Sequence, residues 1–489
     1  MNNYSLDLAY IEINSEKYLN VISYQEKLSL SSLPEIALEF LVEKKINIDE
    51  ILYAKAAFVK NNLKITGFIG QVKQVTCSEK YYNYSVGLQH EVYQLNENRK
   101  SRIFSNITIN DLIHTLFSKQ GIAYDLRLNA AYNQEKIFHQ YQETDWSFLS
   151  RHLERHGIYY YFDYSEDGKI VFIDDKSLHQ LLTDKVFISN DFAEKRSRQC
   201  LILNESVFTV PNQVIIQSYN PLNAEQLLTA TIQVTDHGHS DHYHYIAGAG
   251  SQEELERLGN VYAQSLGCLR HTYTLCGEII NVYPGKLINV IEQGGGKAPQ
   301  KYLVYAMKVC GKQKATTLIQ NEEVSPIYEC SLYLIPADIQ YRSKMSSTVP
   351  NIAGFIHASA HGNCDSEYAH LDDSGYYEVT LRANYEKPTP FKARKVEVFA
   401  GKNYGMHFPI KVGTELLVGF IHGYPESPII IGSGYNSDHV NVVNSQNSYD
   451  HIIRSESGSE IRLSDQAGSA GFEISHPGYS LKVTTSRES

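Results

Sequence analysis

The segment from Gly413 to Asn436 constrains this chain more than any other stretch of its length. Gly413 opens the run Glu415-Leu416-Leu417-Val418-Gly419-Phe420-Ile421, rich in residue types that favour strands. Gly423-Tyr424-Pro425-Glu426-Ser427-Pro428 then carries turn chemistry. Proline presets φ, glycine admits positive φ, and Glu426 and Ser427 are expected to stay in water. Ile429-Ile430-Ile431-Gly432 returns as a second apolar run, closing on Gly434-Tyr435-Asn436. The pattern predicts two strands joined by a proline-rich tip. The apolar run Leu416 to Ile421 is far too short to cross a bilayer as a helix.

This stretch resembles the OB-fold signature of the VgrG family, the spike proteins of type VI secretion. Phe408, Pro409, Gly413, Glu415, Leu417, Val418, Phe420, Gly423, Pro425, Pro428, Gly432, Ser433, Tyr435 and Asn436 fall in register with it. Tyr424 departs where the family prefers Asp. A second signature lies about 270 residues earlier. Gln140, Tyr141, Glu143, Asp145, Phe148, Leu149, Arg151, Gly157, Ile158, Tyr160 and Phe162 match the family's hub motif, and Arg102-Ile103-Phe104 matches its lead-in.

The residues around the second signature read clearly by themselves. Thr108 can cap a helix whose apolar positions Ile109, Leu112, Ile113, Leu116 and Phe117 share one face, with Gly121 as its stop. A second helix starts near Thr144-Asp145 and stops at Gly157. Strand chemistry follows through Tyr159 to Phe162, with a turn at Glu166-Asp167-Gly168 and a return through Ile170 to Ile173. Farther on, Ser251 with Glu254 is a capping box opening a helix to Gly267.

Beyond residue 437 the chain is polar, with apolar pairs at roughly ten-residue spacing: Ile452 and Ile453, Ile461 and Leu463, Phe472 and Ile474, Leu481 and Val483. One chain cannot bury so thin a stripe, whereas strands stacked against partner chains can. By resemblance, Ile461, Leu463, Phe472 and Ile474 form the core of a trimeric prism, and Leu481, Val483 and Thr485 its interface with a tip protein.

The expected fold is mainly β with a few helices (α+β). Residues 1–345 would form a phage-hub-like base of two β-barrel subdomains with inserted helices. Residues 351–437 would form an OB-fold, and 446–489 a short β-prism. A length of 489 residues accommodates about three domains, and 36 tyrosines favour strands. The net charge of −11 argues against nucleic acid as a partner.

Seven cysteines form no CxxC pair, and the N-terminus has neither a basic nor a long apolar region. Synthesis in a reducing cytoplasm without a signal peptide is therefore expected. His237, His239, His242 and His244, with Asp236 and Asp241, invite a metalloenzyme reading. A solvated loop joining two strands is the plainer expectation. Gly294-Gly295-Gly296-Lys297 lacks the spacing of a phosphate loop. No catalytic residue, metal or cofactor is expected.

The resemblance implies a homotrimeric spike and hub at the tip of a contractile apparatus. It would be assembled on the baseplate and injected into a target cell or released into the medium. Implied partners are the Hcp-like inner tube protein, baseplate proteins, a PAAR-repeat tip protein, effector cargo and, transiently, the target-cell membrane. An extracellular injection particle or phage-like tail is the alternative setting.

Overall fold

In a computed structural model the chain is described over residues 9–60, 63–77, 80–166, 168–188, 202–246, 248–292, 298–313, 327–362, 366–383, 385–386 and 388–484. It forms two units. The first comprises Met1–Ala353 together with two later loops, Asn384–Thr389 and Phe420–Ser427. The second comprises Gly354–Ala383, Pro390–Gly419 and Pro428–Ser489.

The first unit is built on a thirteen-stranded, largely antiparallel sheet. Val21–Ser29 alternates buried and exposed positions, as a strand with one wet face must. It pairs with Glu35–Val42 on one side and with Gln300–Lys312 on the other, Ser29 facing Ala306 and Ser23 facing Lys312. The sheet thus ties the two ends of the unit together across almost 300 residues.

Tyr159–Asp163 breaks the alternation, with five consecutive buried residues. Its two faces meet different cores. Tyr160 and Phe162 pack into the main cluster, while Tyr159 and Tyr161 pack with Leu303, Ile335 and Tyr341. A strand covered on both sides reads as a continuous apolar run for that reason.

The helices form as their caps predict. Ile109–Gln120 carries a reciprocal capping box, Thr108 with Asp111, and ends on Gly121 at φ +67°. Asp145–His156 is capped by the Thr144 side chain and ends on Gly157 at φ +73°. A Cβ on Gly157 would lie 2.8 Å from the Val261 side chain, so close packing reinforces the glycine requirement. Gln252–Gly267 has Ser251 as its cap, but the Glu254 carboxylate takes the Gly250 amide rather than that of Ser251. This helix packs Leu255 and Leu258 against Ile216 and Leu228 of a three-stranded sheet made of Gln213–Tyr219, Leu227–Gln233 and Asp241–Tyr245.

The second unit contains a small closed barrel of Ile356–Ala360, Tyr376–Leu381, Phe391–Lys395, Pro428–Ser433 and Glu415–Phe420. Ala358, Val379, Leu416, Val418 and Ile430 are fully buried in it. Four strands follow as an antiparallel meander: Asp450–Arg454, Glu460–Ser464, Gly471–His476 and Tyr479–Thr484.

Candidate functional site

Two buried arginines gather most of the polar residues of the hub motif. Arg102 donates from Nε to Gln140 Oε1 at 2.6 Å and from Nη2 to Asp145 Oδ1 at 2.7 Å. Gln140 Nε2 donates in turn to Asp145 Oδ1 at 2.9 Å and to the Glu143 carbonyl at 2.9 Å. The remaining arm of Arg102 reaches Glu386 at 3.0 Å, and Lys119 meets the same carboxylate. Arg151 is held by Glu143 through Nε and Nη2, and Nη1 donates to Glu426 at 2.8 Å.

Each guanidinium therefore grips a carboxylate from one of the two late loops of the first unit. Charges this deep are tolerated only when paired and hydrogen-bonded, and the planar arginine fork suits that geometry. The Glu426 finding corrects the expectation that this side chain stays in water. Its side chain is only 10% exposed, with His152 Nε2 3.3 Å away. Burial alone would push its carboxyl up, but Arg151 and His152 hold it well below the usual carboxylate range.

The other signature positions are structural. Phe148 and Leu149 are fully buried, Phe148 stacking on Phe104 at 6.0 Å. The Tyr141 ring lies 5.9 Å from that of His139. Pro425 offers its carbonyl to His139 Nδ1 at 3.2 Å. Gly423 adopts φ +70°, and a Cβ there would fall 1.7 Å from Asn351 Oδ1. Tyr424, the departure from the family pattern, places its ring 6.0 Å from the Arg155 guanidinium, a cation–π arrangement that an Asp could not make.

Glu415 lies on the outer face of its barrel strand, opposite buried Leu416 and Val418. It accepts from Asn436 Nδ2 and His357 Nδ1, both at 2.8 Å, tying the end of the motif to its start. Gly413 turns at φ +82°, Pro409 is exposed beside buried Ile410, and Pro428 begins its strand.

Burial also keeps four histidines neutral. His90, His139 and His179 are pushed down to about 4, chiefly by removal from water. His152 falls to about 3, by burial and then by neighbouring Arg151. Unfolded histidine titrates near 6.5, so the unfolded chain binds protons that the fold refuses. Their contribution is complete above about pH 6.5 and is lost as pH falls towards 4, each histidine costing roughly 2 kcal/mol at pH 5. The urea midpoint should stay level from pH 8 to 7 and drop steeply from 6.5 to 4.5. A level midpoint across that lower range would show that the folded protein accepts these protons.

The His-rich segment is half strand. His237 and His239 lie before Asp241–Tyr245, which pairs parallel with Gln213–Tyr219. Pairing with Gln213–Tyr219 sets His244 opposite Ile216, on the helix side and 4.6 Å from the Tyr262 ring, while Tyr243 and Tyr245 stay exposed. Among the described residues, no three His, Cys, Asp or Glu side chains converge as a metal site would require.

The meander presents two unlike faces. Ile453, Ile461, Ile474 and Leu481 face one another in one cross-strand row, and Leu463, Phe472 and Val483 in the next. All seven are between 37% and 63% exposed. The opposite face carries Arg462, Glu473 and Lys482 in a row, with Ile452 at its end. Ile452 thus leaves the apolar stripe to Ile453, as period-2 alternation demands. The expected prism core and tip residues share the same two rows, except Thr485, which lies outside the described residues.

The chain matches the family model described as phage tail baseplate hub (GPD) over residues 25–315, more than half its length. It matches the type VI secretion system/phage-baseplate injector OB domain over residues 380–435. The type VI secretion system spike protein VgrG1b of Pseudomonas aeruginosa is 23% identical over 76% of this chain and 52% of its own length. The actin cross-linking toxin VgrG1 of Vibrio cholerae is 21% identical over 83% of this chain and 38% of its own. The chain thus spans about half, or less, of the length of these relatives. Among solved structures, an E. coli component of the type VI secretion system, described as similar to T4 bacteriophage tail proteins gp27 and gp5, aligns with a TM-score of 0.62 at 18% identity. That alignment covers 87% of this chain and 99% of the other.

Proposed function

The chain belongs to the phage tail baseplate hub family, and from that membership and its likeness to VgrG spike proteins we propose that it is the homotrimeric hub and spike of a contractile type VI secretion apparatus. The observation that supports this most is the bare apolar face of the meander. Seven large apolar side chains aligned in two rows are the pattern of a sheet that is completed by other chains. Three copies brought together about one axis would bury these rows against one another and leave the rows of Arg462, Glu473 and Lys482 outside.

The role is mechanical rather than enzymatic. The hub would sit on the inner tube and baseplate, and the prism would carry a PAAR-type tip protein and effector cargo across a target membrane. Leu481 and Val483 are the residues on which the tip would seat, since at 63% and 53% they are the most exposed of the seven. The protein would be made in the bacterial cytoplasm and leave with the apparatus. Multi-angle light scattering of the full chain at micromolar concentration should give three times the chain mass. A monomer there would end this reading.

A further inference from the structure

Within the first unit a cavity of about 350 Å3 opens between the helix Asp145–His156, the strand Asp241–Tyr245, the helix Gln252–Gly267 and residues 344–349. That is the size of a small-molecule site. Its lining combines Arg155, Lys344, Tyr262 and Tyr424 with apolar Leu266 and Val349.

Two of the cations on its wall make no direct ion pair among the described residues. Arg155 donates to Tyr424 Oη at 3.4 Å, while Glu135, Glu426 and Glu254 act on it only from beyond ion-pair distance. Lys344, an exposed residue of the lining, has no partner among the described residues either. The one carboxylate on the wall, Glu154, is occupied by the Ser347 amide at 3.1 Å and its hydroxyl at 2.8 Å. Arg151, which also lines the cavity, is already matched by Glu143 and Glu426. What remains is an arginine fork and an ammonium beside tyrosine rings and an apolar wall. An arginine fork suits planar or tetrahedral oxyanions, and tyrosine rings suit a flat apolar stem.

We propose that this cavity binds a small organic oxyanion, a carboxylate or phosphate carried on an apolar or aromatic stem. None of the assembly contacts assigned above requires such a site, so its test stands apart from that of the spike.

Isothermal titration of the full chain with phenyl phosphate and with benzoate should show saturable binding of at least one, at one site per chain. The ratio between them decides which anion the site prefers. Inorganic phosphate and benzyl alcohol, each carrying half of the ligand chemistry, should bind at least about tenfold more weakly. Lys344→Gln, on the surface, should weaken the better ligand about tenfold, and Arg155→Gln by about a hundredfold or beyond detection. Absence of saturable binding by both aromatic anions would overturn the proposal. So would equal binding of benzyl alcohol or inorganic phosphate, or unchanged affinity in the folded Lys344→Gln protein.

Discussion

Arg151→Ala should destabilise the first unit by about 3–5 kcal/mol, the usual cost of removing one partner from a buried ion pair. The expectation rests on what the substitution leaves behind. Glu143 and Glu426 are 6% and 10% exposed and would each lose the arginine that compensates their charge. The His139 carbonyl would lose a donor as well. Replacing all three members by neutral groups of similar shape, Arg151→Met with Glu143→Gln and Glu426→Gln, should recover much of the loss, because nothing charged then remains in a dry site. Urea unfolding of the two variants separates these cases. A single variant within 1 kcal/mol of the parent would mean that water reaches the carboxylates. The deficit of Arg151→Ala should also shrink at lower pH, since the stranded carboxylates can escape their penalty by taking up protons.

The contrast between Glu426 and Gly423 shows what was legible in the sequence and what was not. Gly423 and Gly157 could be read as turn and cap positions because positive φ is a local demand, and both adopt it. The two hub helices were legible for the same reason, through their capping residues and 3.6-residue stripes. Glu426 looked like a solvated turn residue because its partner Arg151 lies 275 positions away. Local chemistry carries no record of such a partner. Glu386 and Arg102, 284 positions apart, escaped notice in the same way. The motif match did mark Gln140, Asp145 and Arg151, but without their purpose, which is to anchor two arginine clamps. The strand Asp241–Tyr245 was hidden by its polarity: histidine and aspartate mask an alternation that becomes plain only when its parallel partner is placed beside it.

Replacing Phe472 and Ile474 together with Asp should convert the proposed trimer into monomers at micromolar concentration. In the single chain these side chains are 37% and 45% exposed, so each would still transfer roughly 1 kcal/mol of apolar surface on assembly. Two residues in three chains give roughly 6 kcal/mol, about four orders of magnitude in the dissociation constant, before any cost of enclosing six carboxylates is added. The first unit should be untouched, because its core contains neither residue. Its thermal transition is the control for folding. Leu481→Asp with Val483→Asp is the informative comparison. Those residues continue the same two rows but lie on the strand Tyr479–Thr484, which among the described residues pairs only with Gly471–His476. If that strand seats a tip protein, this pair of substitutions should leave a trimer that no longer retains a PAAR-type partner. A Phe472→Asp, Ile474→Asp protein that stays trimeric by light scattering would show that the apolar rows face something other than sister chains.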